Sequence, residues 1–292
     1  MKVFIFIIVF LLIKCLFSQP LVEDEWLESK ICKDNFKIIE VGLSYNSYMV
    51  EHIQCARFTN FYKDGWRINK KGINMVLPSA QNISKILENL NIERNDHVVL
   101  YAKKNTTYSV AETTAIYFTL KYLGHKKVSI LNGGYPEFKK NFSLLIEEGE
   151  NLSKKRSIYN FKINKNIKAD YKNILFNQEN DFFIVDARET DFFLGINKLK
   201  NFKGYGTINK SINIPSKWFL EARGLKFNKL DVIENIFEIA KVSNKSNLIF
   251  FCYSGLESSL NWFVSSELMK NKNSRLYEGS IFDWVDKNKE LF

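Results

Sequence analysis

Proline is scarce in this chain, four copies among 292 residues, and no segment has the composition of a long disordered region. Nor is there a basic helix or a recognisable nucleic-acid motif, although the formal net charge is +10. The lysines are scattered, denser only around 154–168 and 198–210, and read as a solvated surface with a general attraction for anions. No nucleic-acid partner is expected. Apolar runs of membrane length are missing as well. The nearest, Val3 to Ile13, is cut short by Lys14. Cysteine is rare, with four copies.

What is present begins with that short run. Lys2 precedes it, and the small residue Ser18 stands before Gln19-Pro20. A charged start, a short apolar stretch and a small residue at the cut predict a secretory signal peptide over 1–18, with an uncleaved anchor as the alternative. The expected product is a secreted chain with no stable membrane insertion after cleavage. Six Asn-x-Ser/Thr sequons follow, at Asn82, Asn105, Asn141, Asn151, Asn209 and Asn244. They agree with a secreted glycoprotein, but in so Asn-rich a chain several would arise by chance. Cleavage removes Cys15 and leaves Cys32, Cys55 and Cys252, an odd number. One thiol is then reactive or paired with another molecule. The economical arrangement bridges Cys32 to Cys55 and leaves Cys252 free; the other pairings stay open.

Hydrophobic residues make up 46% of the chain and charged ones 25%, which is globular, and the length allows two domains. Strands and helices alternate, predicting an α/β architecture with mainly parallel sheets flanked by helices. One pattern is written twice. In the first half, His97 to Tyr101 is an apolar strand, followed by a polar loop and an apolar-periodic helix from about Val110 to Leu123, which Gly124 stops. The strand Val128 to Leu131 and the turn Asn132-Gly133-Gly134 come next. In the second half, the strand Leu248 to Phe251 leads to a loop from Cys252 to Glu257 and a helix from Ser258 to Met269. Arg275 to Ser280 then repeats the strand and glycine turn. Earlier, Lys37 to Glu40 with His52-Ile53 parallels Phe182 to Asp186 with Ile212 to Pro215. Two similar domains are expected, over 26–150 and 176–292, with a linker over 151–175.

The sharpest feature is the loop Cys252-Tyr253-Ser254-Gly255-Leu256-Glu257-Ser258. A loop turning into a helix N-terminus aims backbone N–H groups into one concavity, which binds anions. Such a field favours a thiolate, and would hold a persulfide equally well. Gly255 permits the tight backbone. The plain alternative is a buried structural cysteine. Phosphatase chemistry would need an arginine six residues after the nucleophile to grip phosphate. Ser258 stands there instead.

These motifs, with Val185-Asp186-Ala187-Arg188 and Tyr277-Glu278-Gly279-Ser280…Trp284, resemble the tandem-domain rhodanese family of thiosulfate and 3-mercaptopyruvate sulfurtransferases. Glu51-His52-Ile53, Met75 to Pro78 and Leu131 to Gly134 carry the likeness through the first half. The resemblance implies two rhodanese-like domains, the first silent, with Ala102 where a cysteine would stand. It implies that Cys252 takes a sulfane sulfur from a small donor and passes it to a thiol, cyanide or a thioredoxin-like protein. The persulfide is the carried group, so neither metal nor organic cofactor is needed.

Tyr253-Ser254-Gly255 is closer to the mercaptopyruvate branch, and the resemblance implies a relay of Ser254, His52 and Glu40. For His52 the alternative is a histidine simply hydrogen-bonded between domains. The loop residues Tyr253, Gly255, Leu256, Glu257 and Ser258, with Arg188 and Phe192, are the substrate-binding candidates. Two departures stand out. Phe192 takes the place of an arginine that grips the donor, and Asn201 that of a second. Glu257 replaces a neutral hydroxyl residue; it either repels anionic donors and raises the thiol pKa, or points outward and favours the helix N-terminus. An active sulfurtransferase with altered donor preference and a secreted binding module that has lost turnover both fit.

Overall fold

Strands covered on both faces read as continuous apolar runs, because neither side of the pleat meets water. Leu248–Phe251 is such a run, buried along its whole length. In the computed structural model, which describes residues 19–292 apart from 71, 152–156, 178–181, 201, 223–225, 244 and 288, these runs form the centres of two sheets. Residues 1–18, where a signal peptide is expected, and Asn201 and Asn244 lie outside the described residues.

Each sheet has five parallel strands in the same order. In the first, Leu21–Val22, Val128–Leu131, His97–Ala102, Phe36–Gly42 and Arg57–Asn60 lie side by side. In the second the order is Lys168–Ala169, Ser274–Tyr277, Leu248–Phe251, Phe183–Asp186 and Ile212–Asn213. Alternate residues serve different cores. Val98 and Leu100 of one sheet, with Leu248 and Phe250 of the other, share a single apolar cluster between the sheets. Val99 and Tyr101 face a second cluster, Ile249 and Phe251 a third.

The strand registers give the correspondence between the halves. Ile39 pairs with Leu100 and Arg57 as Val185 pairs with Phe250 and Ile212. Ala102 therefore answers to Cys252, Glu40 to Asp186, and Lys103 to Tyr253. The counterpart of Ile212-Asn213 is Arg57-Phe58, so the expected pairing with His52-Ile53 is displaced by five residues. His52–Ile53 instead pairs antiparallel with Ile146–Glu147, outside the main sheet. Two-residue pairings are too short to leave a periodic pattern. For the same reason the expected linker over 151–175 hides the edge strand Lys168–Ala169 and the helix Tyr171–Leu175 of the second unit. The first unit likewise starts ahead of residue 26, at Leu21–Val22.

Two helices hold the halves together, Thr107–Tyr122 and Leu256–Phe263. The first is buried on all sides from Ser109 to Leu120, as befits a helix between its own sheet and the other domain. Thr114 and Ser259 hydroxyls lie 2.8 Å apart, and the Phe118 and Trp262 rings meet edge to face at 4.9 Å. Small polar side chains let the helices approach; aromatic rings fill the flanks. Gly124 ends the first helix with φ +78°, where an added Cβ would strike the Lys162 carbonyl.

Candidate active site

The buried strand Leu248–Phe251 delivers Cys252 to its C-terminal end, where the loop turns into helix Leu256–Phe263. The turn is pinned from the neighbouring strand end. Cys252 N–H donates to Ser280 Oγ at 3.1 Å, and its carbonyl accepts from Ile281 N–H at 3.1 Å. The Tyr253 carbonyl accepts from Phe282 N–H at 3.0 Å. Ser280, which holds the nucleophile's backbone, ends a glycine turn in the sequence, and only the pairing of its strand with Leu248–Phe251 brings it to Cys252.

Gly255 is required twice over. Its φ is +78°, and a Cβ there would overlap the Glu278 carbonyl and lie 2.9 Å from Glu278 Cα. Gly255→Ala is expected to destabilise by about 1–2 kcal/mol from the left-handed backbone alone, with displacement of Glu278 in addition. Thermal melting would register this, and a variant as stable as the parent would refute the tight cradle.

Around the sulfur, Ser258 Oγ donates to Cys252 Sγ at 3.5 Å, and the backbone N–H groups of Ser254 and Ser258 also point at it. The cysteine is 1% exposed and is the free thiol among the described residues, since Cys32 and Cys55 are joined as a disulfide with Cα atoms 5.3 Å apart. The expected lowering of the thiol pKa is not what the structure shows. Burial pushes it up, Glu257 adds to this, and the three hydrogen bonds only oppose them. Glu257 is thus a cause of the rise second to burial. Half-buried in the first helical turn, its own carboxyl is raised to about 7 by burial and by Asp186 and Glu189, with Arg188 opposing.

Arg188 is spoken for. Its guanidinium holds Asp186 through Nη2–Oδ2 at 2.6 Å and Nε–Oδ1 at 3.0 Å, and donates to the Gly206 carbonyl at 2.8 Å. It also lies over the Tyr253 ring, 4.6 Å from the centroid. A buried guanidinium, 1% exposed and held by Asp186 and the Gly206 carbonyl, braces the loop instead of standing open to a donor, which speaks against substrate binding by Arg188. Phe192 meets Tyr253 edge to face at 5.6 Å, in an aromatic group with Phe202 and Phe282. Leu256 is core.

The relay implied for Ser254, His52 and Glu40 is not formed. Among the described residues no hydrogen bond joins Ser254 to either. His52 is 0% exposed, with its ring nitrogens 2.9 Å from the Tyr48 carbonyl and 3.2 Å from the Glu147 carboxylate, and it stacks on Tyr48. Glu40 accepts from Tyr101 OH at 2.7 Å and Lys103 Nζ at 3.2 Å. Both lie on strands of the first domain, Glu40 in Phe36–Gly42 and His52 in His52–Ile53, and find their partners there. In the second domain Asp186, the counterpart of Glu40, accepts from Thr207 Oγ1 at 2.7 Å.

The profile of the Rhodanese-like domain matches this chain twice, over residues 23–141 and 168–287. The chain belongs to the rhodanese family. Its tandem halves are two rhodanese domains, and the cysteine loop sits in the second. The sulfur carrier protein TtuD of Thermus thermophilus is 24% identical over 284 residues, covering 91% of this chain and 93% of that protein. Bovine (Bos taurus) thiosulfate sulfurtransferase is 25% identical over 245 residues, 81% of this chain and 78% of its own. The 3-mercaptopyruvate sulfotransferase SseA of Escherichia coli superposes with a TM-score of 0.76 at 22% identity, covering 90% of this rhodanese and 99% of that chain.

Proposed function

We propose that this rhodanese is a sulfurtransferase that carries a sulfane sulfur on Cys252. The observation that carries the reading is the cradle itself: one free thiol at a strand end, ringed by Ser258 Oγ and the N–H groups of Ser254 and Ser258. In the first half-reaction the Cys252 thiolate attacks the outer sulfur of a small donor. A Cys252 S–S bond forms, and the donor's bond to that sulfur breaks. The electron pair leaves with the remainder, sulfite from thiosulfate or, after protonation, pyruvate from 3-mercaptopyruvate. In the second, a thiol, cyanide or a thioredoxin-like protein attacks the outer sulfur, and Cys252 is released as thiolate. The cradle's donors favour negative charge on either sulfur species.

The chain's relatives include a named thiosulfate sulfurtransferase and a named sulfur carrier, which supports sulfur transfer. A binding role without turnover has its own support in the buried, high-pKa thiol and in Phe192 standing where an arginine is expected. Secretion belongs to the same proposal. The charged, apolar and small-residue order of 1–18 supports it, as does the Cys32–Cys55 bridge, since disulfides persist in oxidising compartments.

Intact mass of protein made in a secreting host tests both parts. A gain of one sulfur on incubation with 3-mercaptopyruvate or thiosulfate, lost on reduction, is the expected result. The same spectrum places the N-terminus, expected at Gln19. No gain from either donor, with the thiol still open to alkylation, favours the binding role.

A further inference from the structure

In a site that works on anionic donors, a cation near the thiol offsets the repulsion between the donor and the thiolate. Here the charges are arranged the other way. Glu257 stands in the first turn of helix Leu256–Phe263, beside Ser258, whose hydroxyl meets the sulfur at 3.5 Å; its carboxylate pushes the thiol pKa up, and two further carboxylates, Asp186 and Glu189, raise Glu257 in turn. The cations in their midst are engaged elsewhere. Arg188 is bound by Asp186 and the Gly206 carbonyl, and Lys217 is paired with Glu189. Across the domain boundary the first domain contributes Tyr108, which feels both Glu257 and Cys252 and carries no positive charge. On the remaining side Tyr253 and Phe192 present aromatic rings.

We propose that the Cys252 site selects uncharged or cationic sulfur compounds over oxyanions and carboxylates, with Glu257 as the residue that sets this preference. The inference rests on the persulfide reading for its biological meaning, though the selection itself is a property of the thiol's surroundings. A pocket of about 630 Å³ provides room for the body of such a compound. It is lined by Thr106 and Thr107, next to Tyr108, and by Lys217, Trp218 and Glu221 of the second domain. The half-exposed Trp218 ring offers a face to an ammonium group, and Glu221 adds a carboxylate at the same opening. Lys217, which lines the pocket, is paired with Glu189, one of the carboxylates that raise Glu257. Around pH 7 the Glu257 carboxyl is divided between its two forms, so the repulsion of anions grows as the pH rises past neutrality.

Two small alkylating probes of equal reactivity class separate charge from access: iodoacetamide, neutral, and iodoacetate, anionic. In each the Cys252 thiolate forms a C–S bond, the C–I bond breaks and iodide leaves. At pH 8 the neutral-to-anionic rate ratio at Cys252 is expected to exceed that of a free cysteine derivative by about tenfold. Glu257→Gln should bring it back to within about twofold of the free thiol. Raising the salt concentration should narrow the wild-type ratio, which keeps the test decisive if the variant misfolds. A wild-type ratio equal to that of the free thiol, a ratio unmoved by Glu257→Gln, or a thiol inert to both probes would overturn the proposal. Absence of sulfur uptake from any donor with the charge ratio intact would instead remove the transferase reading alone.

Discussion

Cys252→Ser protein is expected to take up no sulfur from any donor while remaining folded. The thiol is the only cysteine outside the disulfide among the described residues, and a serine hydroxyl is not ionised near neutral pH and forms no persulfide. Folding should survive because the replacement meets hydrogen-bonding partners already in place. Ser258 Oγ and the Ser254 and Ser258 N–H groups surround the position, so a hydroxyl there is not left unsatisfied. The stability change should stay within about 1–2 kcal/mol, of either sign. Sulfur uptake by mass and thermal melting, measured on the same preparation, check both halves. Residual uptake in the serine variant would place the carrier at another group and sink the Cys252 mechanism.

Arg67→Ala should cost about 3–5 kcal/mol of stability, because it strands a buried carboxylate at the join between the domains. Arg67, 4% exposed, lies in the first domain with its Nε 3.3 Å from Glu278 Oε1 of the second, where Glu278 is 2% exposed. Its Nη1 also donates to the Trp66 carbonyl at 2.6 Å and to Thr119 Oγ1 at 3.1 Å. The pair stands at the turn that abuts Gly255, so its loss should loosen the cysteine loop as well as the docking.

The pH dependence separates this account from simple loss of packing. Burial raises the Glu278 carboxyl above its ordinary value, and Arg67 opposes that rise. Without Arg67 the folded-state pKa climbs further above the unfolded one. A group raised in this way binds its proton more tightly when folded, so stability falls as pH rises. The deficit of Arg67→Ala relative to the parent should therefore be larger at pH 8 than at pH 5. Replacing both partners, as in Arg67→Met with Glu278→Leu, should recover much of the loss, since no charge is then left buried alone. Denaturant melts at the two pH values provide the comparison. An equal deficit at both would mean that Glu278 is not the stranded group.

Much of this molecule was legible along the chain. Buried parallel strands are continuous apolar runs, and a nucleophile loop is one short stretch of strand end, glycine and helix start. Leu248 to Ser258 therefore announced its own geometry, and the duplication of that order predicted two alike domains. A family likeness further marked Ala102 as the first domain's counterpart of Cys252. All of these are local patterns, carried by residues adjacent in sequence.

Other features required the chain to be folded. The brief pairings at Lys168–Ala169 and His52–Ile53 have no period to read, and so the domain edges and the matching of the halves were misplaced. A relay through His52 and Glu40 was reasonable by residue type, but both groups find partners within the first domain. Whether Glu257 acts on the thiol depended on where the helix start places it, which one residue's identity cannot express. The Arg67–Glu278 contact joins opposite ends of the chain, and Arg188 is withdrawn from the site by a carbonyl eighteen residues away. Bonding order along the chain determined which groups exist and what local shape they take. The packing of two sheets through their central helices decided which of them meet, because burial forces each charge to the nearest available partner, however distant in sequence.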